Sequence, residues 1–145
     1  MYDIRHLYIL FHITSVKQCV LMIFPCEVAV KSIVPAIKAL MAKELVAHHG
    51  LNQGQVAEIL SISQSAVSKY SNNVRGYVVA IDNLEGVRPL IEGMTGMLMN
   101  GEYRRKELME LFCRVCEIVR ETGLACQFCA RADPKLKVQD CGLCL

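Results

Sequence analysis

Several features that would assign this chain of 145 residues to a class are scarce or missing. It has four histidines and none after His49, so a metal site in its second half has no imidazole to use. No sign of charge dominates: sixteen Lys and Arg against fourteen Asp and Glu leave +2, too little to hold nucleic acid by charge alone. Any contact with nucleic acid must therefore be local. There is no Gly-rich phosphate loop, no Ser/His/Asp grouping and no carboxylate pair with an evident pocket, which argues against an enzyme. Nor is there an uncharged apolar run of the roughly 20 residues that a membrane span needs. Residues 1–24, apolar enough to suggest a span, carry Asp3, Arg5, His6, His12 and Lys17. Thr14-Ser15-Val16-Lys17-Gln18 offers no small-residue cleavage site, so a secretion signal is rejected as well. The expectation is a cytoplasmic protein without a membrane partner.

What the chain does have is apolar residues and sulfur. Hydrophobic residues make up 53% and charged residues 21%, a composition that folds rather than stays disordered. Of eight cysteines, six fall between Cys113 and Cys144 in three Cys-x-x-Cys pairs, while Cys19 and Cys26 stand apart. A disulfide scaffold belongs to short secreted chains that lack a core, which this is not, so the thiols read as reduced and metal-directed. Residues 1–21 show no helical or alternating period and form a doubtful leader, with Met22 as an alternative start.

From Ser32 to His49, Ile33, Ile37, Leu40, Met41 and Leu45 recur at helical spacing, with Lys38, Lys43 and Glu44 on the other face and Gly50 as a stop. Pro35 suits the first turn. A second helix follows Asn52, whose side chain and that of Gln55 can form a capping box. Ser63 can cap a third, residues 64–70, by accepting from Ser65 or Ala66 N–H. The apolar run 77–81 is ambiguous between strand and connector. Val87, Leu90, Ile91, Met94, Met97 and Leu98 mark a fourth helix that stops at Asn100-Gly101, and a fifth runs from about Tyr103 to Thr122. The break between them predicts a helical hairpin. Arg104-Arg105-Lys106 reads as a solvated face beside Glu102, Glu107 and Glu110.

The second and third helices have the spacing of a helix-turn-helix. Ala57 is small enough for a close crossing, Val67 lies ten positions later to plug it, and Ile62 fills the turn. At the turn position usually held by glycine stands Ser61, which would cost about 1 kcal/mol if φ there is positive. Gln64 can make a bidentate contact to adenine, and Ser65 and Ser68 can donate or accept at base edges. Lys69, Asn72, Asn73 and Arg75 suit phosphate contacts, and Gln53 could meet a phosphate at a helix start. Ser63 belongs to the same surface.

Cys113 and Cys116 are followed after nine residues by Cys126 and Cys129, and after eleven more by Cys141 and Cys144. Each pair can bring two thiolates to one metal, and four complete a zinc site or the shell of an iron–sulfur cluster. The first pair should sit on the last turns of the fifth helix and the other two in loops, all six serving one centre. Six exceed the four that a closed zinc site needs, which favours an iron–sulfur cluster over zinc. A zinc staple that only folds the tail, and thiol–disulfide exchange without the usual βαβ surroundings, remain as alternatives. Cys26 is a candidate extra thiol or a small buried hydrophobe.

Pro25-Cys26-Glu27, Val34-Pro35-Ala36-Ile37-Lys38-Ala39, Ala42-Lys43-Glu44-Leu45 and Ser63-Gln64-Ser65-Ala66-Val67-Ser68-Lys69-Tyr70 through Arg75-Gly76 resemble a group of small archaeal transcriptional regulators. Their helix-turn-helix is of the XRE type, shared with the phage repressor and Cro family. The resemblance covers about residues 23–76, and the tail in cysteine richness only. It implies a lambda-repressor-like DNA-binding unit and a cysteine-bound metal centre, without assigning the ligands. The expected fold is all-α: a DNA-binding unit over residues 22–76, a helical dimerisation or linker region over 77–122, and an irregular cysteine-rich tail over 123–145. The expected function is transcriptional regulation by a homodimer on a palindromic double-stranded operator, sensing redox, iron or sulfide state through the cluster. The hairpin's apolar face, Val87 to Val119, is the expected dimer surface. A metal-stapled adaptor for RNA or protein is the competing expectation.

Overall fold

The computed structural model describes residues 24–74, 79–101, 103–142 and 144; among them there are seven α-helices, one short 3-10 turn and no strand. The fold is all-α. The described residues open on helix α1 (Pro25–Lys31), about two turns that the apolar period is too short to announce. Pro25 at the first helical position has its φ set for the helix, and the Glu27 carboxylate accepts from Phe24 N–H at 3.4 Å. The chain breaks at Ser32, where the buried hydroxyl donates to the Val28 carbonyl at 2.7 Å, before helix α2 (Ile33–Ala47).

Helix α2 is the axis of the molecule, and its burial departs from the single apolar face expected of it. Ile33, Ala36, Ile37 and Met41 pack into one apolar cluster, whereas Ala39, Ala42 and Leu45 pack into another. Lys38, Lys43 and Glu44 are left half-buried between the two. A helix apolar on most sides is one enclosed by its neighbours. Burying Ile37 and Leu45 completely contributes roughly 1.5–3 kcal/mol each from the hydrophobic effect.

One cluster closes α2 against helices α3 (Gln53–Ile59) and α4 (Gln64–Ser71) through Val56, Ala57, Val67 and Tyr70. The other closes it against the hairpin of α5 (Val87–Asn100) and α6 (Arg105–Glu121) through Val87, Ile91, Met94, Val115 and Val119. The expected hairpin is present: α5 ends at Gly101, whose φ of +70° suits a residue without a side chain. Its apolar face is not free for a second protomer, however. Those five residues are at most 4% exposed because α2 covers them within the chain, so the surface expected to form the dimer is already occupied.

The run 77–81 supplies two plugs for this core, Val79 and Ile81, both buried in a connector; Tyr77 and Val78 lie outside the described residues. Of the basic run, Arg104 pairs with Glu107 and Lys106 with Glu110 at 3.5 Å, as a solvated helix face does. After the turn at Gly123 comes helix α7 (Cys126–Ala132), which packs on α1, and then the 3-10 turn Val138–Asp140 against α7. No helix among the described residues is long and apolar enough to cross a membrane.

Candidate nucleic-acid interface and thiol clusters

The two short helices α3 and α4 are positioned by local hydrogen bonds at both ends. Asn52 accepts from Gln55 N–H at 3.0 Å while the Gln55 side chain accepts from Asn52 N–H at 2.9 Å, the reciprocal box that the sequence predicts. Ser63 Oγ accepts from Ala66 N–H at 3.2 Å and caps α4. Between them the chain turns over Ser61, whose φ is +50°. Ile62 N–H returns to the Ala57 carbonyl at 2.9 Å and Ser61 N–H to that of Glu58 at 3.1 Å, a left-handed helix cap of the kind glycine usually provides. The same device ends α4. Asn73 has φ +60°, with Val74 N–H bonded to the Lys69 carbonyl and Asn73 N–H to that of Tyr70.

These bonds fix which side of α4 faces outward. Val67 and Tyr70 point into the core, and Ala57, 9% exposed, lies at the crossing of α3 and α4. Ser65, Lys69 and Asn72 lie exposed on the opposite side, Gln64 is exposed on the flank at the start of the helix, Asn73 is exposed just beyond its end, and Ser68 is half-buried. Some of these groups already have partners: Ser65 Oγ is 3.0 Å from Ser63 Oγ, and Asn72 Nδ2 donates to Ser68 Oγ at 3.4 Å. Gln64 makes no side-chain hydrogen bond among the described residues, so both ends of its amide are available to a base edge. Gln53 is half-buried at the start of α3, and Arg75 lies outside the described residues. The result is a protruding polar face with one lysine, backed by apolar packing on α2.

The cysteines depart from the expected pattern in two ways. Cys126 and Cys129 are not in a loop: they occupy the first turn of α7, with Cys126 N–H bonded to the Gly123 carbonyl and Cys129 N–H to that of Ala125. The reason is local, since 126–132 is short but free of helix breakers and is started by the turn at Gly123. The electrostatic influence among the thiols also runs in two sets, with Arg120 acting on both. Burial pushes the Cys129 thiol up, and the charges of Cys144, Cys126 and Cys141 add to the rise. Burial likewise raises Cys144, against the pull of Arg120 and with Cys126 and Cys141 adding to it. Cys126 and Cys141 thus act on both Cys129 and Cys144. Burial pushes the Cys116 thiol up to about 11, helped by Cys113 and by Cys26 and opposed by Arg120.

Two participants were not read from the sequence. Arg120 influences both Cys116 and Cys144, and its Nε is buried without a hydrogen-bond partner. Its signal was in the chain, because residues 113, 116 and 120 share one helical face. The second is a cleft of about 520 Å3 between α1 and α7, lined by Glu27, Val28, Lys31, Phe128 and Arg131 among others, with the Arg131 guanidinium 5.7 Å from the Phe128 ring. Among the described residues, no three His, Cys, Asp or Glu side chains converge on a point where a metal ion could sit. The tail set fits a metal in kind and number of donors, four thiols with a cation beside them, and would need its side chains to turn inward.

Comparison with protein-family models, with curated proteins and with solved structures found no match to this chain.

Proposed function

We propose that the protein is a sequence-specific double-stranded-DNA-binding regulator, with α3 and α4 as a helix-turn-helix and α4 as its reading helix. The observation that carries this reading is the exposed, unpartnered Gln64 at the N-terminal end of α4, held outward by Val67 and Tyr70 on the buried side. A reading helix contacts bases through residues near its N-terminus, and a glutamine amide matches the donor–acceptor pair of adenine. Ser65 and Ser68 support it at base edges, and Gln53, Ser63, Lys69, Asn72 and Asn73 at the phosphates, with Arg75 expected beside them. One such unit reads a half-site, so a homodimer on a palindrome remains part of the proposal, through a surface other than the apolar face of the hairpin. Selection from random duplexes tests it. An enriched palindrome whose affinity falls when Gln64→Ala is introduced, by about 1–3 kcal/mol at one base position and little on non-specific DNA, supports the reading. Equal loss on both removes Gln64 from base readout, and no enrichment favours an RNA or protein adaptor.

The tail thiols Cys126, Cys129, Cys141 and Cys144 are the proposed ligands of a metal centre, with an iron–sulfur cluster sensing redox, iron or sulfide state as the first reading. Such a cluster would supply a redox-sensitive charge, and Arg120 would offset the charge of its thiolates. Zinc is the second reading, since four tail thiols are the number that one closed zinc site takes. Metal and acid-labile sulfide measured after anaerobic purification decide between them; zinc without sulfide ends the sensing proposal.

A further inference from the structure

We infer that the cleft between α1 and α7 is a binding site for a small organic monoanion, an aromatic ring that carries one carboxylate or sulfonate group. The inference goes beyond the reading of α4 and of the tail thiols, and uses none of their side chains.

Each wall of the cleft is one helix face. On α1, Lys31 lies three residues after Val28 and four after Glu27; on α7, Arg131 and Ala132 lie three and four residues after Phe128. The packing of α7 on α1 brings the two faces together. The inner lining is apolar, because Val28 is 6% exposed and the half-buried Phe128 packs against the cluster that α2 shares with the hairpin. The rim is charged, with Glu27, Lys31 and Arg131 all exposed. A space of about 520 Å3 falls in the range, roughly 300–1,000 Å3, of sites that take small organic molecules.

The chemistry of the rim selects the ligand. Neither Lys31 nor Arg131 has a carboxylate partner among the described residues, although Glu27 is one turn from Lys31 on the same face. The Arg131 guanidinium instead lies 5.7 Å from the centre of the Phe128 ring, a contact that positions its planar fork of donors without using them up. An ammonium and a guanidinium from the two helices, beside an apolar lining, are complementary to an oxyanion whose attached ring covers that lining. Glu27 limits the charge that fits. Two cations and one carboxylate leave the rim with one net positive charge, which a monoanion neutralises and a polyanion such as a nucleoside triphosphate exceeds. An inorganic anion would satisfy the rim and leave Val28 and Phe128 uncovered. The Ser32 hydroxyl donates to the Val28 carbonyl at 2.7 Å, so it offers the cleft an acceptor only.

The test is a fluorescence titration of the full-length protein, purified anaerobically, with anilinonaphthalene sulfonate, a fluorescent ring system that bears one sulfonate. Saturation at one equivalent is the expected result. Lys31→Gln and Arg131→Gln, both at exposed positions, should each weaken binding by about fivefold or more, within reach of a charge-assisted hydrogen bond. Glu27→Gln should tighten it, and Lys106→Gln, which removes the same charge from α6 outside the cleft, should change nothing. Phenylnaphthylamine, the same rings without the sulfonate, should bind more weakly and be indifferent to Lys31→Gln and Arg131→Gln. Phe128→Leu should weaken both dyes. Uptake of several equivalents, the mark of a loosened core, overturns the inference, as does dye binding that ignores both Lys31→Gln and Arg131→Gln. Displacement of the dye by inorganic sulfate as readily as by naphthalene sulfonate also overturns it, because the ring would then contribute nothing.

Discussion

The α2–α4 unit and the segment after α6 are built by different means. In the first, Leu45, Val56 and Val67 are completely buried, and both short helices are closed by side-chain caps at their starts and left-handed turns at their ends. In the second, Ala125 is the last buried residue among those described, and neither α7 nor the 3-10 turn contains one. The first unit holds itself together by apolar burial. The second has sulfur where the first has leucine and valine, which is the arrangement of a segment whose order comes from a ligand.

The largest effect expected from this contrast is on the core. Ile37→Ala should lower stability by about 2–5 kcal/mol in urea unfolding, whereas Leu136→Ala in the tail should stay within about 0.5 kcal/mol. A comparable loss at Leu136 would mean the tail has a core of its own. Next, a strong chelator applied to metal-loaded protein should abolish amide-exchange protection in residues 126–141 and leave that of α2 and α4 in place. Simultaneous loss in both regions would make them one cooperative unit. On the self-supporting side, Asn52→Ala and Ser63→Ala should each cost about 1 kcal/mol by removing a cap. Ser61→Gly should gain about 1 kcal/mol by relieving a positive φ, and a denaturation midpoint that does not rise would show the serine to be unstrained there.

The smallest expected effect concerns pH. The Cys116 thiol is raised in the folded chain to about 11, chiefly by burial. Below the ordinary thiol range it is protonated whether folded or not, so its full contribution is present. As pH rises from about 8.5 to about 11 the unfolded chain ionises first, and reduced, metal-free protein should lose stability. Solvent reaches the group, which limits the loss to about 1 kcal/mol. Cys116→Ala should flatten that stretch of the stability–pH curve, and an unchanged curve would assign the alkaline loss to other groups.

Features carried by neighbours in sequence were legible without the structure. The Asn52–Gln55 box, the Ser63 cap, the stop at Gly101 and the hairpin after it depend on residues three or four apart. The outward face of α4 follows from the burial of Val67 and Tyr70, which helical spacing places opposite Ser65, Lys69 and Asn72, with Gln64 on its flank. Helix α1 was missed because seven residues hold too little of a period, and α7 because the cysteine spacing drew attention away from its helix-compatible residues. The tail thiols were legible as pairs because each pair spans only four residues.

The sequence by itself determined an all-helical chain, the order of its main helices, the polar composition of α4 and a store of thiols in Cys-x-x-Cys pairs. Each is a short-range property, set by periodicity, caps and residue type. Only the tertiary structure decided that α2 is covered on two sides and that the hairpin spends its apolar face on α2. Those are contacts between distant parts of the chain. They follow from which apolar faces find one another on collapse, and no local pattern encodes that choice.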